Sequence, residues 1–339
     1  MPLAKAVVDI VGVDNFRYVY AEEMDEERLR LGWGYQSLPD WCMKYDGDST
    51  VLTEADVLYT GIRCLDLMEK RSKIGKITLY YSERWFKPIG YWSGRLRLLS
   101  PCYRIMAKHI VSLLNEDSNF FYLPIGPWAK KDMVSIGGNI RKMVEWGYFV
   151  DTSDTVSNKE CVSTCADELS ILWVGRMLKL KRVETIIKAV KLLSVDNRVE
   201  NKRFALTLVG EGPDKKRLQR LAANMENVRF MSSVSISEVR NLMRLNDVYV
   251  FSSNGMDGWG GVVNEALEEG MEVFGTYETG ASATLLPQSH LFRSGDYHSL
   301  AVLLSCARKP SRFRTSKVPY DYTARGAAER MLKLVKYNG

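Results

Sequence analysis

Between residues 171 and 307 the chain alternates short apolar runs with segments of helical period. The apolar runs fall at residues 171–174, 204–209, 228–231, 248–251 and 273–274. The helical patterns fall between and after them, at residues 182–193, 214–224, 237–245, 261–269 and 297–307. Repeated strand–helix units of this kind imply a parallel sheet wrapped by helices. Ligands on such sheets bind beyond the carboxyl ends of the strands. The polar motifs of this half lie mostly at those ends.

The N-terminal half is less regular. Residues 55–60, 76–81 and 120–124 read as strands, and residues 96–114 as a long helix interrupted early by Pro101. Residues 6–13 form an apolar strand candidate, and the rest of the first 50 residues is poorly patterned. This half is also expected to be α/β, with a compressed first unit. The polar, Ser- and Thr-containing stretch 151–167 reads as the connection between two domains.

A chain of 339 residues has room for two domains. Hydrophobic content of 46% and charged content of 26% suit a soluble globular protein. No apolar run reaches the roughly 18–20 residues of a membrane span, and the first residues lack the pattern of a signal peptide. Six cysteines do not make a disulfide scaffold at this length, so a cytoplasmic location is expected. Cys161 and Cys165, spaced as CxxxC with no histidines nearby, read as ordinary thiols. The net charge is +6, but residues 71–145 hold 13 Lys and Arg against 5 Asp and Glu. That basic stretch contrasts with the acidic run 22–27 and suits an anionic partner. Within it, residues 84–108 interleave basic residues (Arg84, Lys87, Arg95, Arg97, Arg104) with aromatics and leucines, a pattern expected to dock on an anionic lipid surface. A nucleic-acid partner is not expected.

Three constellations carry chemistry. In the first, an apolar strand ends at Gly175, followed by Arg176 and, five residues on, Lys181. Two cations at a strand end suit a diphosphate, and arginine can chelate it with two N–H groups. The second is Gly210-Glu211-Gly212-Pro213 after a strand, a tight turn that lacks the third glycine of a dinucleotide fingerprint. The third runs Asp257-Gly258-Trp259-Gly260-Gly261-Val262-Val263-Asn264-Glu265. Its glycines let backbone amides approach an anion, and its two acids can hold hydroxyl groups on either side. Asp257 is expected in the loop and Glu265 about one turn into a helix beginning near Gly261. A sugar nucleotide, a diphosphate between two polyols, has the matching layout.

Taken in order, these motifs resemble the C-terminal domain of glycosyltransferase family 4, the group 1 glycosyl transferases of the GT-B fold. Phe230-Met231-Ser232-Ser233, Thr279-Gly280-Ala281 and Ala327-Ala328-Glu329-Arg330 resemble further parts of that pattern. The similarity covers roughly residues 168–335, and in the N-terminal half only residues 56–83 loosely. It implies two Rossmann-like domains with parallel sheets facing across a cleft. They would span residues 1–155, on the acceptor side, and 168–318, on the nucleotide-sugar side, with a helix in 319–339 returning to the first. It also implies a retaining transferase that moves a sugar from a nucleoside-diphosphate sugar, of UDP or GDP type, to a glycan or lipid-linked acceptor. Bacterial surface polysaccharide or glycolipid assembly, at the inner face of the cell membrane, is the expected setting. Arg176 and Lys181 would clamp the diphosphate, and Gly175, Gly210 and the amides of Gly258, Trp259, Gly260, Gly261 and Val262 would line it. Glu265 would hold the ribose, Asp257 the transferred sugar, and Ser232 and Ser233 the base. No metal or cofactor is implied.

The sequence departs from the family at two of these places: Asp257 stands where glutamate is usual, and Arg182 where a glycine usually follows the second cation. The N-terminal glycine-rich loop of the family is not visible. Two other readings follow: a non-catalytic protein that binds nucleotide sugars, and a metal-dependent transferase using Asp46 and Asp48 of the triplet Asp46-Gly47-Asp48.

Overall fold

The computed structural model describes residues 1–23, 38–61, 64–87, 93–149, 159–160, 168–195, 203–310 and 313–338, with Glu26 and Leu29. The acidic run 22–27, the basic stretch 84–108 and the connection 151–167 therefore lie partly outside the described residues, and Cys161 and Cys165 wholly so. Two compact units form. One holds Met1–Glu22, Pro39–Phe149 and Tyr320–Gly339; the other holds Glu23–Leu38 and Val150–Pro319.

The first unit opens on helix α1 (Pro2–Val11), where a strand was expected over residues 6–13. Proline at the first helical position is pre-set for a helix start. Leu3, Ala6, Val7 and Ile10 then recur at helical spacing and enter one apolar cluster. Strands β1 (Tyr18–Tyr20) and β2 (Cys42–Lys44) pair in parallel as a separate small sheet. Helix α2 (Thr50–Glu54) leads to β3 (Val57–Thr60), α3 (Leu65–Lys73), β4 (Ile77–Ser82), α4 (Pro101–Glu116), β5 (Phe120–Pro124) and α5 (Pro127–Val134). Strands β3, β4 and β5 form a parallel sheet in that order. The long helix expected over 96–114 is divided at Pro101: a 3-10 segment, Gly94–Leu99, ends there and α4 begins on the proline.

The second unit is a six-stranded sheet with helices following its strands. Beside it, β6 (Lys159–Glu160) makes a short antiparallel pair described below. Then come β7 (Glu168–Val174), α6 (Glu184–Ser194), β8 (Arg203–Val209), α7 (Lys215–Leu221), β9 (Val228–Met231), α8 (Ile236–Leu245) and β10 (Val248–Phe251). They continue with α9 (Val262–Glu268), β11 (Glu272–Thr276), α10 (Gly280–Leu285), β12 (Leu291–Phe292) and α11 (Tyr297–Cys306). Strand β13 (Phe313–Arg314) pairs with β6. The main sheet runs β12-β11-β10-β7-β8-β9, all parallel. Ile171, Trp173, Leu206, Leu208, Val248 and Val250 bury one face of it against Ile186, Val190, Leu300 and Leu304 of α6 and α11. Four or five apolar residues in a row are what strands covered on both faces require.

The last helix, α12 (Ala324–Asn338), belongs to the first unit. Its Ala324, Ala327, Ala328 and Met331 pack into the cluster that holds Ala6 and Val7 of α1.

Candidate functional site

Strand order locates the site. From β7 the chain proceeds outward to β8 and β9, then crosses to β10 and proceeds outward on the other side to β11 and β12. Strands β7 and β10 are neighbours at this reversal. Loops leaving the two strands diverge there, and ligands of open α/β sheets bind in the crevice this creates. The first constellation leaves β7 and the third leaves β10.

The two loops are joined by an ion pair. Lys181 Nζ stands 2.6 Å from Asp257 Oδ2, with both side chains less than one-fifth exposed (19% and 16%). Below it, Ser252 Oγ donates to Lys181 O at 2.7 Å, Ser253 Oγ to Leu180 O at 3.2 Å and Asn254 N to Leu180 O at 2.9 Å. The Lys181 ammonium also lies 5.6 Å from the centre of the Phe251 ring. Arg176 is different: it is exposed and has no partner among the described residues. Next to Lys181, Arg182 has φ 52° and ψ 35°, the one non-glycine residue with positive φ among those described. Glycine adopts this left-handed backbone without strain, whereas an L-residue in it costs about 1–2 kcal/mol. Arg182 Nε stands 3.5 Å from Glu184 Oε1.

Each glycine of the site has its own reason. A Cβ on Gly210 would lie 2.0 Å from Gly175 O, and one on Gly212 would lie 2.4 Å from Met177 O. Met177 N donates to Glu211 O at 2.7 Å and Asp214 N to Met177 O at 3.1 Å. Gly210 is thus glycine because the Gly175–Met177 loop passes over it, whether or not a ligand binds. Gly258 has φ 69°. Gly260 has φ 95°, and its Cβ would lie 2.5 Å from the Phe251 ring. The carbonyls of Gly258 and Trp259 accept from Gly280 N (3.0 Å) and Ala281 N (2.9 Å), so the Thr279-Gly280-Ala281 turn is bound to the third constellation. Gly261 alone among these has an ordinary helical backbone (φ −55°, ψ −25°) and nothing within 4 Å of where a Cβ would stand.

Trp259 was expected to offer its backbone amide to a ligand. Its side chain is fully buried, and its indole N–H donates to Asn264 Oδ1 at 2.8 Å. What this position can offer a ligand is its backbone. Val262 begins α9 and Glu265 follows in its first turn. The Glu265 carboxylate is half-buried and meets no hydrogen-bond donor among the described residues. Burial pushes its pKa above the ordinary glutamate value, and the positive charge of Arg240 only partly offsets this. Arg240 itself donates to the backbone Glu265 O at 3.3 Å and pairs with Glu269 at 3.2 Å. Ser232 and Ser233 are exposed at the end of β9. Glu211 is held below the ordinary carboxylate range by Lys215, whose Nζ is 2.5 Å away, and then by the Ser232 hydroxyl.

Sequence reasoning missed Tyr249, which lies within the apolar run of β10 and reads as core. It is fully buried, and its hydroxyl donates to Val174 O at 3.3 Å. Burial raises its pKa, and the nearby carboxylates of Glu265 and Asp257 raise it further. A neutral phenol therefore underlies both acids. A hydroxyl in an otherwise apolar strand, at the reversal of the sheet, was the available signal.

Two other expectations concern the first unit. In the first unit Asp46 Oδ1 accepts from Asp48 N at 2.9 Å, and Asp48 Oδ1 accepts from Thr50 N (2.8 Å) and Thr50 Oγ1 (2.6 Å). These acids build the turn into α2. Among the described residues no group of three or more His, Cys, Asp or Glu is placed to hold a metal ion. In the basic stretch, Trp85 and Phe86 are buried, so they form core. Among the described residues there, the large exposed apolar side chains are Leu96, Leu99 and Ile105, alongside exposed Arg95, Arg104 and Lys108. No described helix is long and apolar enough to cross a membrane.

Residues 163–301 match the family model of the glycosyl transferases group 1. No curated protein matches the chain. Among solved structures, a glycosyltransferase from Rickettsia africae superposes with a TM-score of 0.68 at 13% identity, covering 99% of this chain and 94% of that one. Anabaena HepE in complex with UDP and glucose gives 0.57 at 14% identity, over 99% and 94% of the two chains. The lipopolysaccharide outer core galactosyltransferase WaaB gives 0.55 at 14% identity, over 85% and 74%. At these identities the likeness is one of fold: the chain has the α/β architecture with parallel sheets of the GT-B glycosyltransferases, as expected from its motifs.

Proposed function

We propose that this protein transfers a glycosyl group from a nucleoside-diphosphate sugar to a glycan or lipid-linked acceptor, with retention of configuration. The observation that carries the proposal is the Glu265 carboxylate, half-buried and without a donor among the described residues. Partial desolvation disfavours the charged form of this carboxylate, and hydroxyl donors from a ligand stabilise it. A ribose supplies two. Arg176 and Lys181 lie beyond the adjacent strand β7 and suit the diphosphate, and Gly261 leaves room for it. The match to the group 1 glycosyl transferases covers these same loops.

As the glycosidic bond breaks, the leaving diphosphate gains negative charge. Fixed cations and amides that face it stabilise that charge most at the transition state. In a retaining front-face reaction the leaving phosphate accepts the acceptor's proton, so no side-chain nucleophile is needed. Under this proposal activity persists in a chelator. Thermal-shift screening with UDP, GDP and their sugars identifies the donor, since a specific ligand stabilises the fold. Glu265→Ala and Arg176→Ala are each expected to abolish turnover of that donor; turnover surviving in both refutes the assignment.

The acceptor side is proposed to meet an anionic lipid surface through exposed Leu96, Leu99 and Ile105, with exposed Arg95, Arg104 and Lys108 on the same segment. Apolar insertion and charge attraction then act together. Co-sedimentation with vesicles is expected to require anionic lipid and to weaken in Leu99→Glu; equal binding to neutral vesicles rejects this surface.

A further inference from the structure

Of the two cations assigned to the diphosphate, one carries its own counter-ion. Arg176 is exposed and free among the described residues. Lys181 is paired with Asp257 at 2.6 Å, in a setting where neither side chain is more than one-fifth exposed. The pair is firmly held. Asn254 O accepts from Asp257 N at 3.2 Å, Asn254 N donates back to Leu180 O, and Ser252 and Ser253 tie the Lys181 loop from below.

We infer that Asp257 acts on the donor through Lys181, as a built-in counter-anion that weakens the site's hold on the free nucleoside diphosphate. An ammonium has three donors, so Lys181 can serve Asp257 and a phosphate together. The carboxylate and phosphate then lie within a few ångströms of each other and repel, with little water between to screen them. Repulsion is greatest for the product, which carries more negative charge than the donor. Asp257 is thus a positioning residue: it keeps Lys181 in place while the site is empty and favours departure of the spent diphosphate. It has this role only if the loops hold a donor diphosphate, as proposed above.

The test is calorimetric titration of UDP, GDP and ADP into the full chain at fixed ionic strength. The wild type, Asp257→Asn, Asp257→Ser, Lys181→Met and the double variant Lys181→Met/Asp257→Asn are compared. Removing the carboxylate is expected to tighten binding of the preferred nucleoside diphosphate about tenfold, the scale of one partly buried charge–charge interaction. The gain should vanish when Lys181 is already methionine, and the tighter variants should show stronger product inhibition with lowered kcat and a KM that does not rise. Asp257→Glu, which keeps the charge within reach of Lys181, is expected to bind like the wild type. Unchanged or weaker binding in both Asp257 variants overturns the inference, as does an equal gain in the Lys181→Met background. If the wild type and all variants bind none of the three nucleotides, the donor-site proposal itself fails.

Discussion

Alanine at Gly260 and at Gly261, made separately, distinguishes a glycine the fold needs from one a ligand needs. At Gly260 the backbone has φ 95°, and a Cβ would lie 2.5 Å from two carbons of the Phe251 ring. The conformation costs an L-residue about 1–2 kcal/mol, and forcing a methyl into packed surroundings adds about 1–3 kcal/mol. The sum, roughly 2–5 kcal/mol, corresponds to a fall in Tm of roughly 5–15 °C for a unit of this size. At Gly261 the backbone is helical and the space open. Alanine is a poorer helix cap than glycine but restricts the unfolded chain, so the two effects nearly cancel and the change stays within about 1 kcal/mol. A methyl there nevertheless stands where a diphosphate would approach the loop amides. Nucleotide affinity is expected to fall at least about tenfold, or 1.4 kcal/mol. Differential scanning calorimetry gives the first quantity and titration of the preferred nucleoside diphosphate the second. If Gly261→Ala unfolds as early as Gly260→Ala, or folds and binds like the wild type, the reasoning is refuted.

Three further outcomes are expected. Burial raises the pKa of Glu265, so its contribution to stability is fully present below the ordinary glutamate pKa and is lost as pH rises through the raised value. Glu265→Gln should therefore be more stable than the wild type at neutral pH, with the gain shrinking as pH falls through the raised value and gone below the ordinary glutamate pKa; a gain independent of pH in calorimetric scans removes desolvation as the cause. Arg182→Gly relieves a left-handed backbone worth about 1–2 kcal/mol but frees the unfolded chain by about 0.4–1 kcal/mol, so urea unfolding should show equal or slightly higher stability, and a loss above about 1 kcal/mol would point to an unrecognised role for its guanidinium. Asp46→Asn/Asp48→Asn is expected to loosen the turn into α2 and leave donor turnover intact with or without a chelator; a loss of turnover restored by a divalent cation would support the metal-dependent reading.

Much of the second unit was legible because its signals are local. The runs 228–231 and 248–251 became β9 and β10 with the same limits, and the helical periods at 237–245 and 297–307 became α8 and α11 within a residue or so. Apolar stretches of four or five residues bounded by glycines and polar residues leave few alternatives to a buried strand. The segment 6–13 misled because its mostly apolar character, broken only by Asp9 and Gly12, suits a strand as well as a helix. It became α1 because Leu3, Ala6, Val7 and Ile10 form a stripe that meets Ala327 and Met331, residues from the other end of the chain.

The sequence by itself determined the βα order of this protein, the positions of its cations, acids and glycines at strand ends, and hence the chemistry they can address. Only the tertiary structure decided which of them meet. Lys181 and Asp257 are 76 residues apart and form a contact because strand order makes β7 and β10 neighbours. The same packing turned Trp259 inward against Asn264, set Tyr249 beneath two carboxylates and left Glu265 half-buried without a donor among the described residues. Period and turn chemistry are written in neighbouring residues, whereas pairing and desolvation depend on segments brought together from far along the chain.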